Sequence, residues 1–164
     1  MKAATLSRDN IISAISEVTD PEIPVISVTD LGIITSVAIE GGNVRILMAP
    51  TFTACPATEM MRKMIMERTE KVEGVSSVEV LIDFSVPWNS NRISETGRKK
   101  LKEFGLAPPP VHDGTITGNM VANTSCPYCD SDNTSINTLF GPTLCRSMHY
   151  CHNCRQSFQQ FKPI

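Results

Sequence analysis

Five of the six cysteines lie beyond residue 125, and four of them form two Cys-x-x-Cys pairs, Cys126 with Cys129 and Cys151 with Cys154. Each pair can place two thiolates on one side of a tight turn, and two such turns supply the four ligands that a structural Zn²⁺ prefers. The segment between the pairs is long enough for a hairpin that brings them together. The pattern predicts a zinc ribbon over residues 121–164.

Two disulfides are the alternative use of these pairs, and they would require an oxidising compartment. Residues 1–7 lack the apolar stretch of a signal peptide. No segment reaches the apolar length that crosses a bilayer. We therefore expect a cytoplasmic protein, without a membrane partner, whose paired cysteines bind metal.

The charge balance argues against nucleic acid as a partner. Lys and Arg number 15 against 17 Asp and Glu, for a net charge of -2. Zinc ribbons often contact nucleic acid, but phosphate binding requires a basic surface. Beyond residue 111 the two signs of charge are balanced, so we do not expect DNA or RNA binding.

The amino-terminal part shows the periodicity of an α+β domain. Ser7 can cap a helix that ends near Asp20, residues 33–48 predict a β-hairpin, and a helix from Pro56 to about Lys71 precedes a strand over 78–84. The predicted order is αββαβ. The side chains expected to be buried are Ile11, Ile12, Ile15 and Val18 in the first helix, Ala57, Met60, Met61, Met64 and Ile65 in the second, and Val78, Val80, Ile82 and Phe84 in the strand.

A proline-rich segment suggests the domain boundary. Residues 93–106 predict a short amphipathic helix whose basic outer face is either solvated or a docking surface. The prolines at 108–110 favour a stiff, extended conformation. We therefore expect a domain over 1–106, a linker over 107–120 and the ribbon over 121–164.

Cys55 stands alone between a strand end and a helix start. Pro56 suits the first helical position, which would make Cys55 the N-cap. Unpaired N–H groups and the helix dipole favour a thiolate there, which suits metal ligation or nucleophilic attack. The alternative is a small buried side chain. Every histidine lies beyond the proline-rich segment, so we expect no Cys/His dyad in the body and no acyl transfer or proteolysis.

Three carboxylates lie upstream of Cys55, in Asp20, Glu22 and Asp30. Asp beside Pro or Gly commonly caps a turn. The same carboxylates could instead line the Cys55 site, and the spacing does not decide between the two.

Three motifs in order resemble the signature of SufT-like iron–sulfur assembly domains: Asp20-Pro21-Glu22, then Val28-Thr29-Asp30-Leu31-Gly32, then Thr53-Ala54-Cys55-Pro56. This resemblance covers residues 7 to about 105. With Phe140-Gly141-Pro142-Thr143-Leu144-Cys145 and the second cysteine pair, nearly the whole chain resembles the phenylacetate-degradation protein D family.

The resemblance implies a role in phenylacetate catabolism beside a multicomponent phenylacetyl-CoA epoxidase, a monooxygenase with a di-iron subunit and a flavin/iron–sulfur reductase. The chain has neither a nucleotide-binding glycine-rich loop nor the Glu-x-x-His pairs of a di-iron bundle, so we do not expect it to be catalytic by itself. The resemblance instead implies an accessory or maturation factor that delivers iron or an iron–sulfur cluster to the oxygenase or its reductase. Cys55 would be the transfer thiolate, and Asp20, Glu22 and Asp30 would shape its site. A stable non-catalytic subunit and a thiol-dependent enzyme are the alternatives.

Cys145 is a fifth cysteine in the tail, six residues before Cys151. It could replace one ligand of the second pair or help to bind an iron–sulfur cluster. We expect instead that it is buried and unligated in the ribbon hairpin. His149 and His152 are alternate ligands.

Overall fold

The computed structural model describes residues 6–52 and 55–164 and divides into two compact units. The first ends at Trp88 and the second begins at Asn89. We call them the N-terminal unit and the C-terminal unit and describe each by itself. No helix among the described residues is long and apolar enough to cross a lipid bilayer.

The N-terminal unit has the predicted order αββαβ. Its elements are α1 (Arg8–Ile15), β1 (Ile34–Glu40), β2 (Asn43–Met48), α2 (Ala57–Thr69) and β3 (Ser77–Ile82). Strand β2 is the centre of the sheet, antiparallel to β1 and parallel to β3. The carboxyl ends of β2 and β3 therefore lie at the same edge, and the chain that leads to Cys55 leaves from that edge.

Local chemistry explains the first helix and the hairpin. The Ser7 hydroxyl accepts the backbone N–H of Asn10, and the Asn10 side chain accepts that of Ser7, which forms a capping box. Gly41 and Gly42 connect β1 to β2 with φ of 55° and 91°. Both angles lie in the left-handed region, which the tight hairpin turns require and glycine adopts without strain.

The core confirms most of the predicted apolar faces. Ile11, Ile15 and Val18 are buried, as are Ala57, Met61, Ile65 and Val80. Two expectations were wrong: Met60 is 55% exposed and Phe84 is 65% exposed. A helix turns about 100° per residue, so Met60 points away from the i, i+4 row that faces the sheet. Phe84 lies beyond the end of β3 and does not continue its alternation.

Trp88 ends the N-terminal unit and is buried within it. Its indole N–H donates to the carbonyl of Leu31 at 2.9 Å. The polar end of this large side chain is therefore satisfied inside the core.

The C-terminal unit is built around a four-stranded sheet. After a 3₁₀ turn at Ser90–Arg92 come α3 (Glu95–Glu103), β4 (Leu106–Ala107), α4 (Gly118–Ala122), β5 (Thr134–Thr138), β6 (Arg146–Cys151) and β7 (Ser157–Phe161). The strand order is β4-β7-β6-β5, with β5, β6 and β7 antiparallel and β4 parallel to β7. The last three strands form the ribbon.

The structure divides the chain earlier than the predicted boundary at residue 106. Helix α3 and the proline-rich segment belong to the C-terminal unit. Ala107 is buried in the sheet, and the Arg98 guanidinium donates to the carbonyls of Pro109 and Ser90. His112 is buried, with its Nε2 atom 3.1 Å from the carbonyl oxygen of Ile164. Prolines cannot donate backbone hydrogen bonds, but their carbonyls can accept, and this holds the segment in place.

Candidate functional site

The two cysteine pairs form turns with the same backbone hydrogen bonds. In each turn, the carbonyl oxygen of the first cysteine accepts the backbone N–H of the residue four positions later. The N–H of the same cysteine donates to the carbonyl of the residue five positions later. The bonds are Asp130 N to Cys126 O and Cys126 N to Ser131 O, both at 3.0 Å, and Arg155 N to Cys151 O and Cys151 N to Gln156 O, both at 2.9 Å. We call these turns the first and second knuckle (126–131 and 151–156).

Each knuckle reverses at the residue that follows its second cysteine. Asp130 has φ of 57° and Arg155 has φ of 60°, and these are the non-glycine residues in the left-handed region among those described. A side chain there costs about 1–2 kcal/mol in an unsupported chain, so the surrounding bonds must hold the turn. Neither residue was predicted to have a role, although each directly follows the second cysteine of a pair, which is a signal in the sequence.

The four paired thiols converge. The sulfur atoms of Cys126, Cys129, Cys151 and Cys154 all lie within 4.8 Å of one another. The closest contacts join one knuckle to the other, with Sγ–Sγ distances of 3.6 Å for Cys126–Cys154 and for Cys129–Cys151. A disulfide would need about 2.05 Å, whereas four thiolates about 2.3 Å from a tetrahedral zinc ion are spaced about 3.8 Å apart. The geometry fits a metal ion and not disulfides.

The protonation of these thiols would change when a cation binds. The Asn153 side chain donates to Cys129 Sγ at 3.5 Å and lowers the pKa of that thiol to about 6. Burial raises the pKa of Cys126, and it raises the pKa of Cys154 to about 12. Without a cation the cluster therefore keeps protons at neutral pH. A divalent cation would displace them because it bonds to the sulfur atoms and offsets two of the four negative charges.

The cluster is closed on one side by the core of the C-terminal unit. Cys126 and Cys151 are fully buried and pack with Ala107 and Phe158, while Cys129 and Cys154 are half-buried. Four protein thiols leave no position for a substrate, and such closed sites are structural.

The other tail residues proposed as ligands lie outside the four-thiol cluster. Cys145 is buried, with its sulfur 3.0 Å from the Thr143 hydroxyl. His149 places Nε2 at 2.9 Å from Ser147 Oγ and stacks on a ring of the core. The His152 Nε2 atom lies 3.0 Å from Ser135 Oγ. Their side chains serve the ribbon fold and not the cluster.

Cys55 is half-buried, but it is not the helix N-cap that the sequence predicted. Helix α2 begins at Ala57 with Pro56 as its N-cap, so Cys55 precedes the cap by one residue. Its carbonyl accepts the Thr58 N–H at 3.1 Å. Pro56 has helical angles, φ -64° and ψ -24°, but has no side-chain capping hydrogen bond. Thr53 and Ala54, which complete the predicted motif, lie outside the described residues.

Of the three upstream carboxylates, that of Asp20 caps a turn. The Asp20 carboxylate accepts the backbone N–H groups of Glu22 at 2.7 Å and Ile23 at 3.0 Å. The backbone N–H of Asp30 donates to Ser27 Oγ at 3.1 Å. Over residues 6–52 and 55–164, these carboxylates and Cys55 do not form a group of three side chains close enough to share a metal ion. The idea that they shape the Cys55 site stays a prediction.

Comparison with known protein families matches both parts of the chain. Residues 8–82 match the model of an iron–sulfur cluster assembly protein, and residues 111–162 match the PaaD zinc beta ribbon domain. These matches and the four-thiol cluster confirm the predicted domain types and the α+β fold class.

Two relatives are informative. The chain is 33% identical to an Escherichia coli protein whose name describes it as a subunit of a "Putative 1,2-phenylacetyl-CoA epoxidase", over 92% of this chain and 89% of the relative. It is 33% identical to an Fe-S protein maturation auxiliary factor of Porphyromonas gingivalis, over 58% of this chain and 90% of that protein. The second relative thus matches little more than half of the chain.

Two solved structures resemble the same part of the fold. One is a domain of unknown function from Bacillus anthracis, with a TM-score of 0.53, 25% identity, and 57% of this chain and 89% of that one covered. The other is a conserved hypothetical protein from Thermotoga maritima, with a TM-score of 0.52, 32% identity, and 58% and 94% covered.

Proposed function

The chain belongs to the PaaD family of phenylacetyl-CoA epoxidase proteins, and from that premise we propose that it is a cytoplasmic maturation factor for such an epoxidase. In this role it delivers iron or an iron–sulfur cluster to the oxygenase or its reductase and is not catalytic by itself. The Sγ–Sγ distances of 3.6 Å between the knuckles are those of thiols that share a metal ion and not of disulfides, which suits a reducing compartment.

The observation that carries the proposal is the separation of the thiols into two sets. Four of them converge in one cluster, where they can supply all four ligands of a metal ion. Cys55 lies outside that site, half-buried at the start of α2, in a domain whose match is to iron–sulfur cluster assembly proteins. A thiol that must accept and release a cargo needs an accessible position and must not belong to a complete set of four metal ligands.

Zinc is the metal that we assign to the four-thiol cluster. When bound, Zn²⁺ would cross-link the two knuckles and offset half of the negative charge of their thiolates. The backbone bonds of the knuckles set the spacing of the thiols, and Asn153 supports the Cys129 thiolate by a hydrogen bond. The metal would therefore hold the ribbon together, since no open ligand position is left for chemistry.

Cys55 would act by ligand exchange. Its thiol loses a proton as the sulfur bonds to an iron atom of the cargo, and it regains one when a thiolate of the client takes over that iron. No electrons are transferred. Asp20 holds the turn upstream, and we propose that Glu22 and Asp30 shape the approach of the cargo.

The test is the Cys55→Ala variant, produced together with the oxygenase and reductase components of the epoxidase. We expect iron and acid-labile sulfide in those components to fall several-fold, with unchanged melting temperature and zinc content of the variant. Cys145→Ala is the matched control because it removes the other thiol outside the cluster. Full metal content and activity of the partner enzyme with Cys55→Ala would exclude the transfer role.

A stable, non-catalytic subunit is the second candidate. It is favoured by the name of the Escherichia coli relative, which describes that protein as a subunit. Co-purification at fixed stoichiometry with the catalytic components, unaffected by Cys55→Ala, would support this candidate. Weak and transient association would support maturation.

A further inference from the structure

The loop between β5 and β6 carries an exposed apolar patch. Leu139 is 54% exposed, Phe140 68% and Leu144 52%. Single exposed apolar residues are common on protein surfaces, whereas three within six positions at a hairpin tip are a candidate for recognition. We call these three side chains the tip patch.

The loop that carries the tip patch is held by its neighbours. The Phe140 backbone N–H donates to Thr138 Oγ1 at 3.2 Å, and the Gly141 N–H donates to the Arg146 carbonyl at 2.9 Å. A Cβ atom on Gly141 would lie 3.1 Å from that of Arg146, so the two sides of the loop are in close contact. From the segment after β7, Lys162 donates to the carbonyl of Leu139 at 3.3 Å.

This preorganisation has a consequence for binding. Lys162 Nζ also lies 5.3 Å from the centre of the Phe140 ring, and this cation–π contact restrains the exposed aromatic side chain. A loop that is already ordered loses less conformational entropy when it binds. The apolar side chains are presented to solvent in a defined arrangement.

The charge of the ribbon strands restricts the partner. Residues 133–164 contain no Asp or Glu but three cations, Arg146, Arg155 and Lys162, whereas all 17 acidic residues lie in 1–132. The net charge of residues 133–164 is therefore positive, whereas the whole chain has a net charge of -2. Of these three cations, Lys162 lies beside the tip patch, and a positive charge at the edge of an apolar patch is complementary to an apolar pocket with carboxylates at its rim.

The size of the patch also favours one class of occupant. A stable homodimer usually buries about 1,600 Å² or more, which three side chains do not provide. A few aromatic and aliphatic anchors in a pocket are instead typical of the centre of a smaller protein–protein interface.

We propose that the tip patch is the surface by which this chain binds its partner protein, through an apolar pocket rimmed by carboxylates. The inference rests on the proposed function, which requires a partner, but not on metal transfer by Cys55. Phe140 and Leu144 would enter the pocket, and Lys162 would face its acidic rim.

The test measures binding of the zinc-loaded full chain to the purified oxygenase and reductase components of the epoxidase. We expect Phe140→Ser and Leu144→Ser each to weaken the affinity at least about tenfold. Phe84→Ser is the matched control, because Phe84 is also exposed, at 65%, but lies in the N-terminal unit, and it should leave the affinity unchanged. Lys162→Glu should weaken binding and reduce its dependence on salt between about 50 and 300 mM.

Several outcomes would overturn the proposal. Equal affinities of wild type, Phe140→Ser and Leu144→Ser would show that the partner binds elsewhere, and would leave the maturation role intact. Absence of binding by the wild type to either component would reject this partner. If Phe140→Ser and Leu144→Ser abolished self-association in sedimentation but not binding to the epoxidase, the patch would be assigned to a second copy of the chain. If they abolished binding to vesicles of anionic phospholipid instead, the patch would be assigned to a membrane. If Cys55→Ala lowers the metal content of the epoxidase but binds its components with unchanged affinity, the transfer role of Cys55 is separated from the docking role of the tip patch.

Discussion

Gly105 offers a quantitative test of how α3 is joined to the first knuckle. It follows the C-cap Phe104 with φ of 88°, and its N–H donates to the Lys102 carbonyl at 2.9 Å, as in helix ends closed by glycine. A Cβ atom at this position would lie 2.8 Å from the Tyr128 hydroxyl oxygen and 2.9 Å from Tyr128 Cε1. Lys102 also forms an ion pair with Asp130 of the same knuckle.

The expected loss of stability has two parts. The left-handed conformation costs alanine about 1–2 kcal/mol relative to glycine. The Tyr128 ring, 51% exposed, must also leave its position over Gly105, and the lost packing adds about 1 kcal/mol. Gly105→Ala should therefore lower the free energy of unfolding of the C-terminal unit by about 2–3 kcal/mol.

Gly114→Ala is the matched control, because Gly114 has φ of 104° but no atom within 4 Å of an added Cβ. It should show the conformational part alone, about 1–2 kcal/mol. The assay is urea denaturation of the zinc-loaded protein, followed by release of zinc to a chromogenic chelator. In a Tyr128→Ala background, the effect of Gly105→Ala should fall to that of Gly114→Ala. If it does not fall, or if both glycine variants are equally destabilised in the wild-type background, the packing argument is refuted.

Three further predictions concern the metal and the hairpin. Purified protein should contain one zinc and no acid-labile sulfide by metal analysis; Cys151→Ser should lose the metal and Cys145→Ser should keep it. Removal of zinc by a strong chelator should abolish the near-ultraviolet circular dichroism of the ribbon tyrosines, and re-addition of zinc should restore it. Unchanged spectra would contradict a structural role of the metal. Gly42→Ala should destabilise the N-terminal unit by about 2–3 kcal/mol in thermal unfolding, because its Cβ would lie 2.8 Å from Ser76 Oγ. Gly41→Ala, with open space, should lose only about 1–2 kcal/mol, and equal losses would argue against the clash.

The elements that the sequence predicted best are those with local causes. Periodicity of apolar residues and the Ser7 cap identified α1, and alternation around Gly41 and Gly42 identified the hairpin. These signals depend on neighbours within a few positions, so they can be read without a tertiary structure. The exposed Met60 and the one-residue shift of Cys55 from the N-cap are errors of the same local scale.

The division of the chain could not be predicted in this way. An amphipathic helix followed by prolines has the composition of a domain end and a linker. The structure instead places α3, Ala107 and the proline carbonyls in the C-terminal unit, through hydrogen bonds of Arg98 and pairing of β4 with β7. Those partners are distant in the sequence, and composition carries no information about them.

The metal centre was predicted in part from the sequence and in part only from the tertiary structure. The spacing of Cys126–Cys129 and Cys151–Cys154 determined by itself that four thiols could share a metal ion, because a two-residue gap forces both sulfurs to one side of a turn. Only the tertiary structure decided that Cys145 is excluded from the cluster. It also decided that Cys55 stands outside it and that the tip patch is exposed. The reason is that ligand spacing is a property of one turn, whereas exclusion and exposure depend on how strands far apart in the chain pack together.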